Sequence, residues 1–170
     1  MRVLGIDCGT AVTGYGVVEQ QGSELRCIAA GAIRLSSRKP LAERLAQVHR
    51  ELAAAILQHR PDEVAIEDVF YAVNAKSALK LGHVRGVALL AAAEALLPVA
   101  EYAPLAVKSA VVGYGKAEKH QVQEMVMRLL RLAQRPEPAD VADALAIAVC
   151  HLHTAGTRAR QAKESAVPRG

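Results

Sequence analysis

Hydrophobic positions near the start of the chain follow strand patterns. Residues 2–6 form a predicted buried strand in which 3–6 are apolar on both faces, and residues 14–20 and 24–35 form further extended segments. The polar sequence Gln-Gln-Gly-Ser at 20–23 predicts a turn between the last two. The first three strands are therefore predicted to form an antiparallel meander.

A helical period begins near residue 40. Pro40 suits the first turn of a helix that runs to about residue 58, and apolar positions recur along it every three or four residues. The remaining predicted elements are strands at 63–67 and 99–102 and helices near 74–97, 104–112, 118–133 and 139–153. Because strands first pair in a meander and later alternate with helices, we predict an α/β fold. Its mixed sheet of five strands, antiparallel and parallel, is flanked by helices on both faces.

Length and composition predict one folded domain. The chain has 170 residues, of which 52% are hydrophobic and 22% charged, as in ordinary globular proteins. Residues 1–154 are predicted to form the domain. Residues 155–170 are basic and poor in apolar side chains, so we expect a disordered tail.

Cysteine usage and hydropathy predict a cytoplasmic protein. Cys8, Cys27 and Cys150 are odd in number and widely spaced, which is typical of a reducing compartment. The N-terminus enters a strand directly, so no signal peptide is expected. The longest apolar stretch, 87–100, is interrupted and too short to span a bilayer, so no membrane partner is expected.

Four carboxylates are the most informative candidates for chemistry. Asp7 and Glu67 each end a buried strand, and Asp140 and Asp143 lie three apart at the start of the last predicted helix. Such strands deliver their acids to the edge of the sheet, and helix positions i and i+3 share a face. Several carboxylates at one place repel one another unless a divalent cation is bound. The pattern predicts a metal-dependent site that cuts phosphodiester bonds.

Each acid also has a structural alternative. Asp140 and Asp143 favour the positive end of a helix dipole by about 0.3–1 kcal/mol each, and an acid just past a strand is often a turn former. Asp68 adjoins Glu67, and neighbours in an extended chain point to opposite faces, so only one of them can join Asp7. Alternation by itself leaves that choice open.

The loop after Asp7 suggests a different function. Its glycines and threonines could cradle a phosphate, and the segment 7–10 is similar to the first phosphate loop of the actin, Hsp70 and sugar-kinase ATPases. Those proteins close a second, similar domain over ATP, and 170 residues leave no room for one. ATP hydrolysis is the weaker alternative.

Basic residues are concentrated in one stretch. The net charge is +4, but residues 156–170, with four basic side chains and one acid, account for +3 of it. Between 72 and 135, nine Lys or Arg oppose four Glu, a local excess of +5. Beside a carboxylate site this excess suits a polyphosphate backbone, although solvated helix faces account for some of these residues. Phe70, the only phenylalanine, is either a core plug or a surface on which a base stacks.

Short motifs in a fixed order identify a family resemblance. They are LGID at 4–7, VTGYGVV at 12–18, AIEDVF at 65–70, NAKSALKLG at 74–82, RGVA at 85–88, AEK at 117–119 and ADALAIA at 142–148. From residue 2 to about 153, the chain closely resembles the bacterial RuvC family of Holliday-junction resolvases. The resemblance implies a ribonuclease-H-like fold and a symmetric homodimer that nicks two opposed strands of four-way junction DNA during recombination and repair.

The resemblance also implies site residues and partners. Asp7, Glu67, Asp140 and Asp143 match the family's catalytic metal ligands, which favours Glu67 over Asp68. Two Mg²⁺ ions per subunit, with Mn²⁺ as a substitute, and ends with a 5′-phosphate and a 3′-hydroxyl are implied. The branch-migration proteins RuvA and RuvB are implied as partners. DNA contacts are expected from Phe70, Lys76, Lys80, Arg85, Lys108 and Lys119.

Some features leave alternatives open. Family members usually have proline after the first aspartate, and Cys8 in its place puts an oxidisable thiol beside a metal ligand, which predicts sensitivity to oxidants.

Gly82 and Gly86 either pack closely on the sheet or form a helix–helix dimer contact. His151 either supports the acidic site or is a cation at a helix C-terminus. A non-catalytic junction-binding module on the same fold is the alternative to an enzyme.

Overall fold

The computed structural model describes residues 1–68 and 75–165, with side chains through residue 157. Its elements in chain order are β1 (Arg2–Asp7), β2 (Val12–Gln21), β3 (Glu24–Arg34), α1 (Leu41–His59), β4 (Glu63–Glu67), α2 (Ala75–Glu94), β5 (Val99–Tyr102), α3 (Pro104–Val112), α4 (Lys119–Leu129) and α5 (Ala139–Ser165). The predicted Phe70 contact lies outside the described residues.

The predicted mixed sheet is confirmed. Its strand order is β3-β2-β1-β4-β5, with β1, β2 and β3 antiparallel as an N-terminal meander. Strands β4 and β5 add to β1 in parallel. Parallel strands end at the same edge of a sheet, so Asp7, Glu67 and Tyr102, the last residues of β1, β4 and β5, lie side by side.

Each face of the sheet is covered by helices. Alternate residues of β1 point to opposite sides, so Val3 packs with α3, α4 and α5 while Leu4 and Ile6 pack with α1 and α2. Helix α5 lies very close to β1 and β2. A methyl group added at Gly5 would lie 2.1 Å from the carbonyl oxygen of Ala144, and one at Gly14 would lie 2.1 Å from that of Asp140. Glycine at these positions therefore sets the approach of α5 to the sheet.

The end of α5 differs from the expected boundary. The sequence predicts a helix to residue 153 and then a disordered tail, whereas α5 continues to Ser165. Alanine, arginine, glutamine, lysine and glutamate dominate this stretch, and all five are good helix formers even without apolar packing. Polarity therefore did not end the helix. None of the helices in the described ranges is long and apolar enough to cross a membrane.

Candidate active site

Three of the four predicted acids line one cleft at the carboxyl edge of the parallel strands. Asp7, Glu67 and Asp143 share it with Lys108 and Lys119, and its volume is ≈ 250 Å³. The apolar part of its lining comes from Pro104, Val107, Val122, Ala146 and Ile147. The cleft thus combines closely spaced negative charge with two cations over a partly apolar floor.

Asp7 lies at the electrostatic centre of this cleft. Burial, followed by the charges of Asp143, Glu67 and Asp140, raises its pKa from 3.8 to about 7, and Lys119 opposes the rise. The pKa of Glu67 is also raised, by burial first and then by Asp143. These carboxylates destabilise one another when ionised, which is the electrostatic condition that a bound cation relieves.

Asp140 stands beside the cleft rather than among its lining residues. It lies in the first turn of α5, three residues before Asp143. Its main chain sits against Gly14, the β2 residue that pairs with Asp7. Its charge contributes to the raised pKa of Asp7. The close contact of α5 with β2 therefore brings Asp140 near the other acids.

Lys119 balances part of the negative charge. Its Nζ lies 2.5 Å from Oδ2 of Asp143, and this hydrogen bond is the main cause of its raised pKa. Lys119 is the first residue of α4, directly after a capping box in which Glu118 and Gln121 exchange hydrogen bonds with the backbone. The capped helix end fixes where the lysine enters the cleft.

The donor set suits a hard divalent cation, although it is not assembled as a finished metal site. Across residues 1–68 and 75–165, no group of three His, Cys, Asp or Glu side chains stands ready to hold a metal ion. Carboxylate oxygens that raise one another's pKa are nevertheless the ligands that Mg²⁺ prefers. If Asp143 held such an ion, its carboxylate would have to exchange Lys119 for the metal, because the two side chains are paired.

The neighbours Glu67 and Asp68 are separated by the strand geometry. Glu67 lines the cleft, whereas Oδ1 of Asp68 lies 3.7 Å from Nη2 of Arg85 on α2. Arg85, expected to contact DNA, is directed towards protein groups: it also pairs with Glu101 of β5 and donates its Nε hydrogen to the carbonyl of Glu67. Sequence reasoning missed this role because Glu67 and Asp68, at the end of β4, lie far in the chain from Glu101 on β5.

Lys76, Lys80 and Cys8 are the remaining described residues that the sequence singled out. Lys76 and Lys80 lie exposed on the first turns of α2. Burial, followed by the charge of Asp7, raises the pKa of the Cys8 thiol to about 12. The thiol therefore stays protonated, so the structure does not favour the predicted sensitivity to oxidants.

His151 joins three elements beneath the site. Only 5% of it is exposed, its Nδ1 lies 2.9 Å from the Tyr102 hydroxyl, and its Nε2 lies 2.9 Å from Oε2 of Glu63. It thus links α5 to β4 and β5. The interpretation of His151 as a cation at a helix C-terminus is wrong, because α5 continues for fourteen residues beyond it, to Ser165.

The fold and the cleft together define a class of protein. An antiparallel meander extended by parallel strands, with acids at the ends of β1 and β4 and on the helix that crosses them, is a ribonuclease-H-like nuclease arrangement. The sequence profile of the family described as "Crossover junction endodeoxyribonuclease RuvC" matches residues 3–151. The chain belongs to this family, as its motifs predict.

Individual relatives are similar to this chain over nearly its whole length. The crossover junction endodeoxyribonuclease RuvC of Koribacter versatilis is 70% identical over 161 residues, which cover 94% of this chain and 97% of that protein. The one of Acidobacterium capsulatum is 62% identical over 164 residues, covering 92% and 96%. The structure of Thermus thermophilus RuvC in complex with a Holliday junction substrate is similar with a TM-score of 0.86 and 35% identity, covering 92% of this chain and 96% of that one.

Proposed function

We propose that this protein resolves four-way DNA junctions by symmetric paired nicks, in DNA recombination and repair. The observation that carries the proposal is the cleft in which Asp7, Glu67 and Asp143 stand beside Lys108 and Lys119. Acids in such a cluster suit phosphodiester hydrolysis, and adjacent lysines suit a phosphate backbone. The Thermus thermophilus relative was solved with a Holliday junction. In-line attack of water leaves a 5′-phosphate and a 3′-hydroxyl.

We propose that the metal is Mg²⁺, with two ions per subunit and Mn²⁺ as a substitute. The residues that would hold it are the four acids Asp7, Glu67, Asp140 and Asp143. When bound, the metal activates the attacking water and stabilises the leaving oxygen. The protein's own contribution is to keep these acids close in a partly buried cleft, which raises the pKa of Asp7 to about 7 and favours cation uptake. Lys108 and Lys119 would offset the charge that develops on the phosphate.

A homodimer is proposed from the outer face of α2. Leu79 and Leu90 are 67% and 51% exposed, and among the described residues none comes within 4 Å of a methyl group placed at Gly82 or Gly86. The alternative that these glycines pack on the sheet is therefore wrong. The four residues share one helix face, and a second copy of this face would bury the leucines and let the backbones approach closely. A two-fold dimer would present one cleft to each of two equivalent strands.

Further parts of the proposal come from the family resemblance. Exposed Lys76 and Lys80 are proposed DNA contacts, and RuvA and RuvB are proposed partners. The three cysteines are free, which agrees with a cytoplasmic location.

A cleavage assay tests the function directly. Synthetic four-way junctions and linear duplexes, each labelled at every strand end, are incubated with the protein in Mg²⁺ and separately in EDTA. We expect paired nicks at symmetric positions, only in junctions and only with the metal, and ends that a ligase reseals. Junction binding without cutting in Mg²⁺ would favour the non-catalytic module, and phosphate release from ATP without DNA would favour the ATPase.

A further inference from the structure

We propose that Arg85 is a positioning residue for the proposed reaction. It holds the end of β4 so that Glu67 faces the cleft, and it does not contact DNA. This inference rests on the proposed nuclease function, and it replaces the expectation that Arg85 binds the DNA backbone.

The guanidinium of Arg85 reaches three groups around the end of β4. Its Nε hydrogen is donated to the carbonyl oxygen of Glu67 at 3.3 Å. Its Nη2 pairs with the carboxylate of Glu101 on β5 and lies 3.7 Å from Oδ1 of Asp68. Arginine offers several hydrogens in one rigid plane, which suits a group that must bind a carbonyl and carboxylates together.

These contacts occur where the sheet gives little support to the strand. Glu67 is the last residue of β4 and pairs with Tyr102, the last residue of β5. One further backbone hydrogen bond follows, from Asp68 N–H to the Tyr102 carbonyl at 2.8 Å. Arg85 adds a tie from α2 across both strand ends, so it fixes the main chain that carries the Glu67 carboxylate.

Arg85 also separates two adjacent carboxylates. Neighbouring residues in an extended chain point to opposite faces, and the positive charge of Arg85 attracts Asp68 to the α2 side. Glu67 is then left on the side of the cleft, with Asp7 and Asp143. The choice between Glu67 and Asp68, which alternation in the sequence leaves open, thus has a physical cause in the structure.

A DNA contact would require Arg85 to give up these partners. Only 18% of its side chain is exposed, and two acids share its charge. Lys76 and Lys80 on the same helix are exposed instead. To reach a phosphate, Arg85 would have to leave both acids and the Glu67 carbonyl, which hold its guanidinium against the strand ends.

Replacing Arg85 separates the two roles in kinetic measurements. For Arg85→Ala, we expect kcat at saturating junction to fall on the order of 10- to 100-fold, because a small displacement of a catalytic group has this effect. The junction Kd and its salt dependence should stay unchanged. Arg85→Lys should recover part of kcat, since it keeps the charge but loses the planar fork. Weaker binding with a salt slope reduced by about one, and a normal kcat, would overturn the proposal.

Glu101→Gln provides a second test, and as a single variant it leaves Arg85 in place. Its side chain is 48% exposed, so loss of its charge should leave the fold intact. We expect kcat to fall, and the effects of Glu101→Gln and Arg85→Ala to be less than additive because both break one contact. Unchanged kcat in Glu101→Gln, together with additive effects, would contradict the role of Arg85.

Amide hydrogen exchange gives a measurement that is independent of activity. The Asp68 N–H should exchange at least about tenfold faster in Arg85→Ala than in the unaltered protein, because the strand end opens more often. Lys80→Ala, on the same helix, should leave that rate unchanged while weakening junction binding. Unchanged exchange in Arg85→Ala would rule out the positioning role. If the unaltered protein cut no junction, the proposed function would fail, and the exchange rate would still decide whether Arg85 holds the strand.

Discussion

At the scale of single residues, the proposed chemistry depends on acids held where ionisation is unfavourable. The pKa of Asp7 is raised mainly by burial and then by three other carboxylates. Lys119, hydrogen-bonded to Asp143, is the cation that partly compensates. The positions of Asp7 and Glu67 could be predicted from the sequence because each ends an apolar strand. The Lys119 and Arg85 contacts could not, because they join elements that are distant in the chain and follow no spacing rule.

The raised pKa of Asp7 predicts how stability depends on pH without metal. The folded value, about 7, exceeds the ordinary value of 3.8, so between these values the unfolded chain binds fewer protons and stability falls as pH rises. Asp7→Asn should therefore stabilise the protein in EDTA by about 1–4 kcal/mol at pH 8, with a smaller gain towards pH 4. Urea unfolding at several pH values measures this. The control is Glu124→Gln, at an exposed site on α4. If Asp7→Asn and the unaltered protein had equal free energies of unfolding at pH 8, the electrostatic description would be contradicted.

Lys119 should set the pH at which the enzyme becomes active. Its charge lowers the pKa of both Asp7 and Glu67, whereas Lys108 lowers that of Glu67. In Lys119→Met the acid limb of the kcat/KM profile should move to higher pH, because the acids then lose their protons later. Lys108→Met should give a smaller shift. A loss of rate in Lys119→Met with no change in the shape of the profile would mean that the lysine acts on the phosphate alone.

At the scale of elements, the site depends on how closely α5 approaches the sheet. The period of hydrophobic residues predicted all five strands and the mixed sheet, but it did not predict the length of α5. Its last turns contain strong helix formers without an apolar face, so intrinsic propensity extends the helix where hydrophobic patterning indicates a tail. The link from His151 to Glu63 and Tyr102 was likewise outside the reach of sequence patterns, since it joins three elements.

Gly5→Ala tests the contact between α5 and the sheet. The added methyl group would lie 2.1 Å from the Ala144 carbonyl oxygen, so α5 must move away, and we expect a loss of about 1–3 kcal/mol. Asp143 would move with the helix, so cleavage should fall as well. The matched control is Gly156→Ala in the same helix, where no described residue comes within 4 Å of the added methyl group, and it should stabilise by about 0.5–1 kcal/mol. Denaturant unfolding of both variants measures the difference, and a neutral Gly5→Ala would show that the helix does not depend on this approach.

At the scale of the whole molecule, the proposed function requires two clefts to act on one junction. The fold class could be predicted from the order of strands and helices, and the family from its motifs. The resemblance implies a homodimer, but the sequence pattern does not show which surface pairs, because exposed leucines in it are indistinguishable from core residues. The proposed surface for pairing is the exposed face of α2, with Leu79 and Leu90 on either side of Gly82 and Gly86.

Charge placed on this face should separate the subunits. We expect the double variant Leu79→Glu, Leu90→Glu to be monomeric in sedimentation velocity and to lose paired nicking, because four like charges would face one another across the two-fold axis. Leu57→Glu, at a residue of α1 that is 77% exposed, is the control and should keep the state of the unaltered protein. A double variant that sediments as a dimer would place the contact on another surface.

The most direct test of the central claim compares the four acids one at a time. Asp7→Asn, Glu67→Gln, Asp140→Asn and Asp143→Asn are each assayed for junction binding in EDTA and for cleavage in Mg²⁺. Each variant is expected to bind the junction at least as tightly as the unaltered protein and to cut it at least about 100-fold more slowly, because each removes a metal ligand. A variant that cuts at the normal rate, or one that loses binding together with cutting, would contradict a metal centre formed by these four carboxylates.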